Sequence, residues 1–145
     1  MSELLRLDNQ LCFAIHAAAR ATNAAYQPLL EALGVTYPQY LVLLTLWEED
    51  GARVSRIGER LYLDSATLTP LLKRLEKRGL VERRRSEVDE RVVEIFLTGR
   101  GARLKKKALS VANGFFCKLQ VSVQEATRLR EDLKGLTKRL HGRAA

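Results

Sequence analysis

Residues 54–81, VSRIGERLYLDSATLTPLLKRLEKRGLV, limit what this chain can fold into more than any other stretch. They read as a short helix from about Ser55 to Leu61, a tight connection near Leu63 and Asp64, and a second helix that stops at Gly79. This is helix-turn-helix spacing. Asp64, Ser65 and Thr67 are each able to cap the second helix, and Pro70 favours a start late enough to keep the proline in the first turn. The hydrophobic period then changes from helical to two. Val93, Ile95 and Leu97 alternate with Glu94 and Phe96, an earlier short strand fits Val81 to Arg85, and the polar run SEVDER (86–91) makes the hairpin tip. A helix-turn-helix followed by such a hairpin is a winged helix, so the expected fold class is mainly α with a small β-wing.

The charge falls where that architecture needs it. The net charge of +8 points to a polyanionic partner. Much of it lies in Lys73, Arg74, Lys77, Arg78, Arg83, Arg84 and Arg85, opposed within that stretch by Glu76 and Glu82 alone. A recognition helix places short polar side chains near its N-terminus against base edges and cations where phosphates pass. Ser65, Thr67 and Thr69 followed by Lys73 and Arg74 have that arrangement, and Arg84 and Arg85 would sit on the wing. The competing reading is a solvated basic helix, which does not account for charge on two consecutive elements of the right lengths. RLKKK (103–107) reads more readily as a solvated face than as a DNA contact.

Helices are expected on both sides of this unit. From Leu11 to Leu33 apolar or small residues recur at 11, 15, 18, 22, 26, 29 and 33, the pattern of a long amphipathic helix that Pro28 should disturb by one turn. Alanines at 14, 17, 18, 21, 24 and 25 leave room for another helix, and Phe13 projects to the polar side, as expected of a face buried by a partner chain or of a satellite core contact. After Gly34, Tyr37-Pro38 opens a helix running to about Glu49. Beyond Thr98-Gly99 two further helices are expected, 99–119 and 122–141, the second with a capping box from Ser122 and Glu125. The whole is read as one domain over 1–145, with a helical dimerisation region (1–34 and 99–145) and a DNA-binding lobe (53–98). The 46% apolar and 29% charged content is that of a globular protein. No apolar run approaches the ~18 residues of a membrane span, and the N-terminus lacks a signal-peptide pattern, so a cytoplasmic location is expected.

Two cysteines, Cys12 and Cys117, are too few for a secreted disulfide framework. Cys12 lies on the shoulder of the first helix's apolar stripe, and spacing alone favours an inert buried thiol over a reactive one. A reactive thiol needs its anion favoured, and a helix starting near Asp8 would put Cys12 in the first turns, where the dipole does so. His16, one turn on, could support that anion or be solvated. Cys12, His16, Cys117 and His141 lack the paired spacing of a zinc motif, so neither a metal nor another cofactor is expected.

LDNQLCFAIHAAAR (7–20), VTYPQYLVLLTLWE (35–48), GERLYLDSATLTPLLKRLEKRGLVERRRSEVDER (58–91) and LTGRG (97–101) together resemble the organic-hydroperoxide-sensing (OhrR) branch of the MarR family of dimeric winged-helix repressors. Asp89 and Arg91 fit the family's D-x-R in the wing, and YPQY with LYLDSATLTP resembles this branch in particular. The resemblance implies that Cys12 is the peroxide-reactive thiol, that Tyr26 and Tyr37 hydrogen-bond its sulfur across the dimer, and that Cys117 is the resolving cysteine of the two-cysteine subgroup, on the other subunit. His16 departs from the pattern, since the family often has tyrosine there. Tyr26 lies about 21 Å along a helix from Cys12, so a dimer is needed to bring the two together. The expected protein is a homodimeric repressor that binds double-stranded operator DNA, releases it on oxidation by an organic hydroperoxide and is reset by reducing thiols. The alternatives are a MarR-type repressor gated by a small aromatic ligand, with structural cysteines, and a thiol peroxidase.

Overall fold

A computed structural model describes residues 3–142. Two single turns of 3-10 helix, Glu3–Leu5 and Leu7–Asn9, lead into six α-helices and three strands: α1 (Leu11–Glu31), α2 (Tyr37–Glu48), β1 (Ala52–Arg53), α3 (Val54–Leu61), α4 (Ser65–Lys77), β2 (Val81–Arg85), β3 (Val93–Leu97), α5 (Gly99–Leu119) and α6 (Val123–His141). The helix-turn-helix is α3 and α4, and the wing is β2 and β3. Its register pairs Val81 with Leu97 and Arg85 with Val93.

Local chemistry explains most boundaries. Thr36 and Gln39 form a reciprocal capping box at the start of α2, and Ser122 and Glu125 form another at α6. Between α3 and α4 the chain turns through Tyr62, whose φ of 55° is left-handed. That turn packs onto Gly58, where a Cβ would stand 2.7 Å from the Leu63 carbonyl oxygen. At the base of the wing Thr98 caps α5, and its hydroxyl also donates to the Gly79 carbonyl at 2.6 Å.

Two expectations are corrected. The second helix of the pair starts at Ser65, so Pro70 lies in its second turn rather than its first. The Asp64 carboxylate decides this by accepting the Thr67 N–H at 2.8 Å, and the carbonyl that the proline leaves without a helical donor lies on an exposed turn. The wing hairpin is also not alone: β1 pairs with β3 through Ala52↔Ile95 and Arg53↔Glu94, giving a three-stranded antiparallel sheet in the order β1-β3-β2. Asp50 secures that junction by accepting from the N–H of Leu97 at 2.7 Å. Helix α1 continues through Pro28 to Glu31, as the pattern predicts.

The buried core lies between α2, α3, α4 and the sheet, around Leu43, Leu46, Ile57, Leu68, Leu72 and Ile95. The outer helices are different. In α1 Leu30 alone is buried, and α6 buries no residue. Leu11, Phe13, Leu129 and Leu140 are exposed in the single chain, so Phe13 is not a satellite of its core. Apolar surface of this extent on consecutive helices is what a partner chain covers. Among the described residues no helix is long and apolar enough to cross a membrane.

Candidate functional site

Cys12 is the second residue of α1 and is exposed. Helix α1 is capped at Gln10 without a side-chain acceptor, so Asp8 is not the cap, and Cys12 lies in the first turn, whose backbone N–H groups have no helical acceptor. His16 follows one turn later, also exposed.

Tyr26 and Tyr37 come together at the other end of α1. Their ring centroids lie 4.8 Å apart, and Phe115 of α5 stacks on Tyr26 at 3.9 Å with the planes 15° apart. Tyr40 completes the group at 6.0 Å from Tyr26 and itself meets Trp47 edge-on. Burial, reinforced by Tyr37 and Tyr40, pushes the Tyr26 phenol up to about 12, and burial raises Tyr37 and Tyr40 as well. All three are therefore neutral hydrogen-bond donors at any physiological pH.

Cys117 is exposed on α5, two residues beyond Phe115. Its neighbour Lys118 donates to the Ala25 carbonyl at 3.4 Å, which fixes this end of α5 against Tyr26. Cys12 of the same chain lies thirteen residues back along an unbroken helix, about 20 Å at 1.5 Å per residue. A disulfide needs Cα atoms within about 7 Å. The chain thus brings Tyr26 and Tyr37 together on Phe115 of α5, the helix that carries Cys117, and leaves its own Cys12 far from them. Tyr40 and Phe115 were not foreseen. Tyr40 had a signal, one helical turn after Tyr37, but the arrival of Phe115 from a helix almost ninety positions away had none.

The second group of expected residues lines up on α4 and the wing. Ser65, Thr67, Lys73 and Arg74 are exposed on α4, and Thr69 is partly so. Ser65 and Thr67 lie in the first turn, where the Thr67 N–H holds the Asp64 carboxyl below the usual carboxylate range. On the wing Arg85 is exposed. Arg84 is partly committed, since its guanidinium pairs with Glu82 and lies 4.6 Å over the Phe96 ring. At the tip Asp89 accepts from the Arg91 backbone N–H at 3.0 Å and from its guanidinium Nε at 3.1 Å. These two bonds, with Arg53 nearby, hold the Asp89 carboxyl low and shape the tip. In RLKKK, Lys105 donates to the Trp47 carbonyl at 3.0 Å, while Arg103, Lys106 and Lys107 face solvent. Among the described residues no group of three or more His, Cys, Asp or Glu side chains is arranged to hold a metal ion.

Residues 35–93 match the MarR family model. Over 137 residues the chain is 47% identical to an organic hydroperoxide resistance transcriptional regulator of Bacillus subtilis, covering 94% of this chain and 93% of that one. Among solved structures, reduced AbfR bound to DNA superposes with a TM-score of 0.78 at 40% identity, covering 96% of this chain and 97% of that one; the protein comes from Staphylococcus epidermidis. The disulfide form of AbfR, also 40% identical and covering 94% and 96%, superposes with a TM-score of 0.66. With a helix-turn-helix, a wing and relatives that regulate transcription rather than catalyse reactions, this chain belongs to the MarR family of transcriptional regulators.

Proposed function

We propose that the protein is a homodimeric repressor that binds double-stranded operator DNA in its reduced form and releases it when an organic hydroperoxide oxidises Cys12. The observation that carries this reading is the split site: Tyr26 and Tyr37 meet at one end of α1, against the helix that carries Cys117, and the cysteine they would serve stands at the other end. Two chains related by a twofold axis complete two such sites at once.

In each, the Cys12 thiolate attacks the terminal peroxide oxygen, giving the sulfenic acid and an alcohol. The Cys117 thiol of the other subunit then displaces water from the sulfenic sulfur to form a disulfide. Two equivalents of a reducing thiol return both cysteines and leave as their own disulfide. Tyr26 and Tyr37, kept neutral, donate to the thiolate. On DNA, Ser65, Thr67 and Thr69 face base edges, and Lys73, Arg74, Arg84, Arg85 and Arg91 neutralise phosphates or enter the minor groove, with Asp89 shaping the tip.

Release follows from spacing, because a dimer must present its recognition helices about 34 Å apart to meet successive turns of DNA. The related AbfR supports the link in that its solved structures include a reduced form bound to DNA and a disulfide form.

The test is a gel shift on duplexes selected from a random pool by the reduced protein. Cumene hydroperoxide should release wild-type protein and leave Cys12→Ser bound. Release of both forms alike, or release by small aromatic acids instead, refutes sensing through Cys12.

A further inference from the structure

We propose that His16 is the general acid that protonates the alkoxide leaving group as Cys12 is oxidised, an inference that rests on the peroxide-sensing reading above. The reaction sets the requirement. The thiolate attacks the terminal oxygen of ROOH, the S–O bond forms as the O–O bond breaks, and the O–O electron pair departs on the alkoxide. The balanced step is S⁻ + HO–OR + H⁺ → S–OH + HOR. An alkoxide leaves poorly unless a proton reaches it as it departs, and a positioned acid accelerates such steps by roughly 10²–10⁴.

The tyrosines are a poor source of that proton. Giving it up would leave a phenolate in a cluster where burial and the neighbouring rings already oppose the anion, most strongly at Tyr26. They hold the sulfur without feeding the leaving group. Histidine is the side chain that exchanges a proton near neutral pH, and the sequence has two, His16 and His141. His141 lies at the far end of α6 with its ring stacked on Tyr62 at 4.5 Å. His16 is exposed on α1 four residues after Cys12, and positions so related on one helix lie about 5–6 Å apart at Cβ, on the same side.

The surrounding charges leave that side open. From residue 9 to residue 30 the sequence has no acidic side chain that would tie up an imidazolium on α1 itself, and Arg20 is the one other charged group in that span. In the preceding turns Glu3 is engaged by Arg6 and Asn9, and Asp8 precedes the helix. From α6, Asp132 and Arg139 line the groove over the Leu11, Ile15 and Thr22 stripe of α1, around the helix from His16.

The test uses Cys117→Ser protein, in which oxidation stops at the sulfenic acid. The rate of Cys12 thiol loss is followed by mass spectrometry with tert-butyl hydroperoxide and with peracetic acid, whose acetate leaves without needing a proton. Adding His16→Gln should slow the alkyl hydroperoxide about 100-fold and leave the peracid within about threefold. Equal slowing with both oxidants makes His16 a support for the thiolate and overturns the proposal, as does no slowing. If the parent's Cys12 resists both oxidants, the sensing reading itself falls and takes this inference with it.

Discussion

Replacing Tyr26 or Tyr37 with phenylalanine removes a hydroxyl but keeps the ring that packs between α1, α2 and α5. A hydrogen bond to a charged group contributes about 1.5–3 kcal/mol, so each variant should lose Cys12 thiol to peroxide roughly ten- to a hundredfold more slowly while still binding DNA. Unchanged rates in both would remove the tyrosines from the site. The phenol titration offers an independent check. Tyr26 has its pKa raised from 10.0 to about 12 in the folded chain, so the stability gained by keeping it neutral is fully present below pH 10 and is lost as pH climbs through about 12. An alkaline absorbance titration should show one phenol ionising near pH 12 that Tyr26→Phe eliminates. The roles proposed for the tyrosines come from resemblance alone, and no local rule brings residues 26, 37 and 115 together. Arg84 shows the reverse: its place on the wing was readable from strand period, whereas its position over Phe96 depends on a register between β2 and β3 that sequence does not reveal.

The helix-turn-helix and wing were the most legible parts, because their signals are local: two capping residues, one glycine stop and an alternating strand. What escaped was short or contested. Two residues of β1 carry no period, and its pairing with β3 is a tertiary fact. Pro70 misled because an aspartate cap outweighed a proline's preference for the first turn. The α3–α4 turn is tightly set, and Gly58→Ala should destabilise the lobe by about 1–3 kcal/mol, since its Cβ would press on the Leu63 carbonyl. Urea unfolding measures this, and an unchanged midpoint would mean the turn has slack. DNA contacts should divide by kind. Thr67→Ala and Thr69→Ala should weaken selected duplexes by roughly 1–3 kcal/mol with little effect on random DNA. Lys73→Ala, Arg74→Ala or Arg85→Ala should weaken all duplexes and flatten the log affinity against log salt plot by about one unit. Arg84→Ala should flatten it less, because Glu82 already balances part of that charge. A salt series on both DNA types decides, and wing variants that change neither affinity nor slope would make residues 80–98 a purely structural hairpin.

Oxidation should join two chains. Peroxide-treated protein is expected to migrate as a covalent dimer on a non-reducing denaturing gel, and Cys117→Ser to remain a monomer there. Wild-type protein that stays monomeric after complete loss of free thiol would refute the resolving role of Cys117. The apolar outer helices that make this association necessary were partly visible in the sequence, in the alanine run of α1 and in Phe13, but the bareness of α6 emerges only when its packing is seen. That bareness has a consequence for the protein's lifetime. A helix that buries none of its residues in its own chain is held by mass action, so its order depends on how many copies are present. Dilution below the dimer's dissociation constant should leave residues 123–141 frayed and open to proteases before the rest of the fold loosens. A regulator built this way should couple its durability to its abundance, and limited proteolysis across a dilution series should cut within α6 first in the most dilute samples.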